Sequence, residues 1–145
     1  MAGMMAVGHP ECKYVATVCP SFAVGMMNKI RKVLVIGGPT FIHCLCPCPK
    51  GWGFEPYLAC EIGVLAVETG IWPLYEIENS KLRFYSKSKS IVEGGTRKRV
   101  GEYLKIQDRF AHFTEEDVNY FQSKIGEMWQ EWLVPGIIPI ALMEV

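Results

Sequence analysis

Two apolar runs rich in β-branched residues, set one helix-length apart, constrain this chain more than any other feature. Tyr14-Val15-Ala16-Thr17-Val18, closed by Cys19-Pro20, reads as a short strand buried on both faces of a parallel sheet. Ser21 can cap a helix over residues 22–35, with Val24, Met27 and Ile30 turned inward and Lys29, Arg31 and Lys32 outward. Gly37-Gly38-Pro39 stops that helix, and residues 40–46 follow as a second strand. Strand, helix and strand in this order form the parallel crossover of a doubly wound sheet, so the expected fold class is α/β. Loops that carry chemistry in such folds lie beyond the strand C-termini. Pro47-Cys48-Pro49-Lys50-Gly51-Trp52-Gly53-Phe54 occupies that place and is the prime candidate site.

Downstream, Pro56 opens a helix to residue 69, with Leu58, Ile62, Leu65 and Ala66 on one face. Residues 72–78 and 81–85 form a hairpin about Asn79-Ser80, and a polar linker runs over 86–95. Thr114-Glu115-Glu116-Asp117 starts a long helix whose face is Val118, Phe121, Ile125, Met128, Trp129 and Trp132. At 145 residues, half of them apolar, the chain can fill one core, which excludes disorder as its main state. The three methionines within Met1–Met5 resemble a helix interior more than the start of a domain.

Fifteen basic residues balance fifteen acidic ones, so no global field draws the chain to nucleic acid or an anionic membrane. Locally the balance is −1 over residues 1–80, +6 over 81–109 and −5 over 110–145, a pattern that fits mutual neutralisation or two solvated faces. Aromatic residues interleave poorly with the basic ones, which argues against a base-stacking platform. No apolar run reaches the roughly 18–20 residues of a membrane span, and residues 134–145 are interrupted by Pro135, Gly136 and Pro139. The first residues lack a basic leader, so a cytoplasmic location is expected and the six cysteines are read as reduced thiols or metal ligands.

Cys44, Cys46 and Cys48 recur at the period of a strand and could present three sulfurs to one side. A complete zinc or iron–sulfur site wants four ligands, commonly in Cys-x-x-Cys pairs, and this chain has none. Cys44 and Cys46 are therefore read as small core residues, and His43, on the opposite side of the strand, as a packed histidine. Glycine-rich phosphate cradles are absent too.

The loop, Phe41-Ile42-His43-Cys44-Leu45-Cys46-Pro47-Cys48-Pro49-Lys50-Gly51-Trp52-Gly53, is followed by Leu65-Ala66-Val67-Glu68-Thr69-Gly70 and by Tyr103-Leu104-Lys105-Ile106-Gln107. In that order these segments closely resemble the C-terminal half of the thiamine-diphosphate-binding beta subunit of pyruvate:ferredoxin oxidoreductases (pyruvate synthases). The resemblance implies that residues 1–85 are the C-terminal part of the thiamine-diphosphate-binding α/β domain, with residues 86–145 a linker and helical extension. It also implies that Cys48 is one thiolate of a four-iron, four-sulfur cluster whose other three ligands come from the N-terminal half. In the complete enzyme pyruvate and coenzyme A give acetyl-CoA, carbon dioxide and reduced ferredoxin, with alpha, gamma and delta subunits as partners.

The family's Gly-Asp-Gly and later Asn, which hold the Mg²⁺ of the diphosphate, have no counterpart here: the only aspartates are Asp108 and Asp117, neither beside a glycine. The chain alone is expected to bind no thiamine diphosphate and to oxidise no pyruvate. Two other readings stay open, a free-standing cysteine-rich metal-binding or interaction module and a protein that docks through its basic hairpin.

Overall fold

The computed structural model describes residues 8, 9, 11–79 and 81–133. Strand β1 is Tyr14–Val18, helix α1 Ala23–Val35 and strand β2 Thr40–Cys44, with a 3-10 turn at Pro20–Phe22. β1 and β2 pair in parallel, from Tyr14 opposite Thr40 to Val18 opposite Cys44. The crossover read from the sequence is therefore present, with β2 two residues shorter because Leu45 turns into the core. All five residues of β1 are buried, as a central strand requires.

Strands β3 (Tyr75–Glu78) and β4 (Lys81–Phe84) form the hairpin, and β3 runs antiparallel to β1. The result is a four-stranded mixed sheet in the order β2-β1-β3-β4, an open α/β sheet with a hairpin appended to its parallel pair. Ser80 of the hairpin turn, the methionine-rich residues 1–7 and the apolar residues 134–145 lie outside the described residues, as does the side chain of Trp132.

After a four-residue helix α2 (Pro49–Trp52), helix α3 (Ala59–Glu68) lays Ile62, Leu65, Ala66 and Val67 into the core. The chain enters it through a 3-10 turn at Pro56–Leu58. Gly63 allows the close approach: a Cβ there would stand 2.1 Å from Ser21 Oγ and 2.9 Å from Cys19 Sγ. Helices α5 (Val100–Leu104) and α6 (Glu115–Leu133) close this core with Val100, Tyr103, Leu104, Ile125 and Trp129. Trp129 also donates its indole N–H to Gly70 O at 2.9 Å. Thr114 and Asp117 bond reciprocally at the start of α6, the capping read from the sequence.

Three expectations are corrected. Residues 86–95 are not a polar linker: Ser86–Val92 forms helix α4, with Ser88 and Ile91 buried. Leu74 N–H donates to Ser88 Oγ at 2.8 Å, so a tertiary bond supplies what the sparse apolar pattern withholds. Phe121 of α6 is exposed, leaving the inner face of that helix to Val118, Ile125, Met128 and Trp129. Helix α1 is rotated from its expected setting: Lys29 is 4% exposed, whereas Val24 is 77% and Met27 45% exposed. Lys29 Nζ reaches Thr17 O at 2.9 Å and Tyr75 O at 3.0 Å, tying α1 to two strands, and these bonds outweigh burial of the apolar stripe. Arg31 does face outward, and Lys32 is half-buried at a carboxylate.

Candidate functional site

The loop beyond β2 is built from its anchors outward. Leu45 is buried and its N–H donates to Val18 O at 2.9 Å, which holds the strand end in the sheet. Pro47 and Pro49 then restrict the backbone on either side of Cys48, which caps α2 with extended φ and ψ. Cys48 is exposed, and its Sγ accepts the N–H of Gly51 at 3.4 Å. Trp52 N–H returns to Cys48 O at 2.9 Å, so the loop is one closed helical turn displaying a thiol.

The far side of the turn is clamped by the segment after α5. Gly53 has φ 66°, a left-handed conformation that favours glycine, and a Cβ there would lie 2.6 Å from Asp108 Cβ. Asp108 N–H donates to Gly53 O at 2.7 Å. The Arg109 guanidinium stacks 3.9 Å above the Trp52 ring and 4.5 Å from the Phe110 ring. It is held by Nε donating to Gln107 Oε1 (3.0 Å) and by its second arm donating to Tyr103 Oη (3.2 Å). Gln107, itself buried, donates to Tyr103 O at 2.5 Å. Two sequence segments fifty residues apart are thus one unit, a thiol-bearing turn on an arginine–glutamine–tyrosine platform.

Cys44 and Cys46 fall on one side, their sulfurs 3.6 Å apart, as the strand period requires. The core reading holds for neither in full: Cys44 is half-buried and Cys46 is exposed, because Leu45 takes the inward place at the strand end. Burial, with the bond from Cys46, pushes the Cys44 thiol up to about 11, which disfavours its thiolate. Among the described residues no three His, Cys, Asp or Glu side chains come together in a way that could hold a metal ion. Cys48 therefore stands as a single outward thiol. His43 packs its ring 4.6 Å from Trp72, as a packed histidine should.

A second cluster was not legible in the sequence. Glu76, 1% exposed, accepts from Tyr14 Oη at 2.7 Å and from Tyr85 Oη and Lys32 Nζ. Burial pushes its carboxyl up, but the bonds from Lys32, Tyr85 and Tyr14 outweigh that and hold it below its ordinary value. Burial and the same carboxylate push Tyr85 up to about 12. Lys29 lies beside this cluster, and burial takes it down to about 8. Of the basic segment, Arg99 pairs with Glu115 of α6 at 2.7 Å, whereas Arg97 donates to the backbone carbonyl of Ile125 at 3.1 Å. No helix among the described residues is long and apolar enough to cross a membrane.

No protein-family model matches the chain. Pyruvate synthase subunit PorB of Methanocaldococcus jannaschii is 49% identical over 124 residues, covering 86% of this chain and 39% of that protein. PorB of Pyrococcus furiosus is 34% identical over 150 residues, 94% of this chain and 45% of its own length. The chain matches the C-terminal part of PorB-type subunits. Ketoisovalerate oxidoreductase subunit VorB of Pyrococcus horikoshii is similar as well, 35% identical over 117 residues that cover 81% of this chain and 36% of VorB. The PorB-like chain thus spans less than half the length of these relatives.

Proposed function

We propose that this chain serves as the C-terminal part of a 2-oxoacid:ferredoxin oxidoreductase beta subunit, with pyruvate as the substrate of the complete enzyme. In that enzyme pyruvate and coenzyme A yield acetyl-CoA and carbon dioxide, and two electrons pass to ferredoxin. The observation that carries the reading is the clamped turn with its exposed Cys48 thiol. One rigid thiol with an N–H already on its sulfur fits the outer ligand of an iron–sulfur cluster, since such hydrogen bonds tune cluster potentials. When bound, the cluster supplies one-electron transfer toward ferredoxin. Cys48 would hold one iron, and the platform of Arg109, Gln107 and Tyr103 keeps that sulfur in place. Cys44 and Cys46 are not assigned to it.

Thiamine diphosphate and its Mg²⁺ do not fit the oxygens of this chain. The Asp117 carboxylate is taken by Thr114 N and Oγ1, and Asp108 sits against Gly53. That site is assigned to the part of the subunit beyond this match, and no step is derived through it. Alpha, gamma and delta subunits, ferredoxin and coenzyme A are the partners this reading requires.

A chimera of the Methanocaldococcus jannaschii PorB subunit carrying this chain in place of its matched segment, assembled with its sister subunits, tests the reading. It is expected to reduce a viologen in the presence of pyruvate and coenzyme A, and the isolated chain is expected not to. Preference of the chimera for 2-ketoisovalerate would move the substrate toward the VorB relatives. Viologen reduction by the isolated chain would overturn the reading.

A further inference from the structure

The end of β2 carries two thiols that the Cys48 turn does not use. Cys44 is the last residue of the strand and is half-buried, and Cys46, two residues on, is exposed. Leu45 between them is fixed twice, by its burial and by the bond from its N–H to Val18 O at 2.9 Å. The neighbours of an inward Leu45 both point the other way, and Pro47 limits the backbone beyond them. Cys46 Sγ accordingly donates to Cys44 Sγ at 3.6 Å. Residues two apart along an extended chain have Cα atoms about 6.4–6.8 Å apart, within the roughly 4.4–6.8 Å that a disulfide spans. Closing that bond therefore asks chiefly for side-chain rotation and leaves the anchored Leu45 in place. Cys48 stands apart from the pair: its Sγ accepts from Gly51 N–H at 3.4 Å, and among the described residues no third ligand joins the two sulfurs in a group that could hold a metal.

We infer that Cys44 and Cys46 form a reversible dithiol–disulfide couple, a thiol-exchange site for small-molecule disulfides that works apart from the Cys48 turn. Exposure sets the order of events. The Cys46 sulfur attacks one sulfur of the small disulfide and breaks its S–S bond; a mixed disulfide forms on Cys46, and the departing thiolate takes up the proton that Cys46 loses. The Cys44 sulfur then attacks the Cys46 sulfur, the mixed S–S bond breaks, and the second small thiol leaves with the Cys44 proton. Two protein thiols are oxidised by two electrons, and one small disulfide is reduced to two thiols. Burial disfavours the Cys44 thiolate, so the second step is the slower one. An excess of small thiol runs the sequence backwards. The inference concerns this chain's own sulfurs and does not rest on the proposed function.

The test holds the full chain, first reduced, in defined ratios of oxidised to reduced glutathione. Free thiols are then blocked with N-ethylmaleimide in acidic urea, and the tryptic peptide of residues 33–50, which contains Cys44, Cys46 and Cys48, is read by tandem mass spectrometry. The expected product has Cys44 joined to Cys46 and Cys48 blocked by the maleimide, and a mixed disulfide on Cys46 precedes it. Cys44→Ala should stop at that mixed disulfide, which accumulates roughly tenfold or more above its level in the parent chain, because no second thiol is held close enough to expel it. Cys48→Ser should close the pair as the parent does. Closure should also be favoured roughly tenfold or more in the native chain over the same chain in urea, because the fold holds the two sulfurs together. Equal closure in both would overturn the inference, since the pair would then owe nothing to the fold. A Cys46–Cys48 disulfide in the parent, or Cys44 blocked by the maleimide at every glutathione ratio, would overturn it too.

Discussion

Replacing Glu76 by Ala should be among the costliest single changes in this chain, although Glu76 touches no part of the Cys48 turn. The carboxylate is 1% exposed and accepts hydrogen bonds from the Tyr14 and Tyr85 hydroxyls. Tyr14 is fully buried, so its hydroxyl has no water to turn to once the carboxylate is gone. A buried donor left without a partner costs about 1–3 kcal/mol. Lys32 is more than a third exposed and can turn to solvent, so its ion pair adds little. Glu76→Ala should therefore cost about 3–5 kcal/mol, a large share of the roughly 5–15 kcal/mol by which domains are stable. Glu76→Gln keeps the shape and one acceptor oxygen and should cost about 1–2 kcal/mol. Urea unfolding followed by far-ultraviolet circular dichroism measures both. The pH dependence has a definite sign: a carboxyl held below its ordinary value stabilises the fold above about pH 4.3, and that stability is lost as pH falls through the lowered value. Glu76→Gln should flatten this acid limb. An alanine cost below about 1 kcal/mol, or an unchanged acid limb in Glu76→Gln, would refute the reasoning.

Two other outcomes test the supports of the site. Lys29 titrates near 8 when folded, below its unfolded value, so the unfolded chain binds more protons between those values and stability should rise by up to about 3 kcal/mol from pH 8 to 10. Lys29→Met should remove that rise in urea midpoints, and its persistence would show that another group is responsible. Gly53→Ala combines a left-handed φ with a Cβ 2.6 Å from Asp108 Cβ, so it should cost about 2–3 kcal/mol and expose residues 47–54 to proteolysis. A cost below about 0.5 kcal/mol would mean that Asp108 does not clamp the turn.

The parallel crossover, the hairpin, the core face of α3 and most of that of α6 were readable because each follows one period and ends at proline, glycine or a cap. Helix α1 misled for a physical reason. A buried lysine bonded to two strand carbonyls sets the rotation, so Val24 and Met27 face outward beside Asn28 and Arg31. Helix α4 escaped notice because a serine hydroxyl and not an apolar face docks it. At the site, Cys48 and its two prolines were visible in the sequence, whereas the Arg109–Trp52 stack joins residues too distant for any local pattern to link. The Glu76 cluster was hidden in the same way, since its members sit on β1, α1, β3 and the residue that follows β4.

The central claim is that Cys48 is the one cluster thiolate this chain contributes, and iron content decides it most directly. In the anaerobically reconstituted PorB chimera, iron and bound thiamine diphosphate are measured for the parent protein, Cys48→Ser and Cys44→Ala. Cys48→Ser is expected to lose most of one cluster's iron while keeping thiamine diphosphate, and Cys44→Ala to keep both. Full iron in Cys48→Ser together with iron loss in Cys44→Ala would contradict the account.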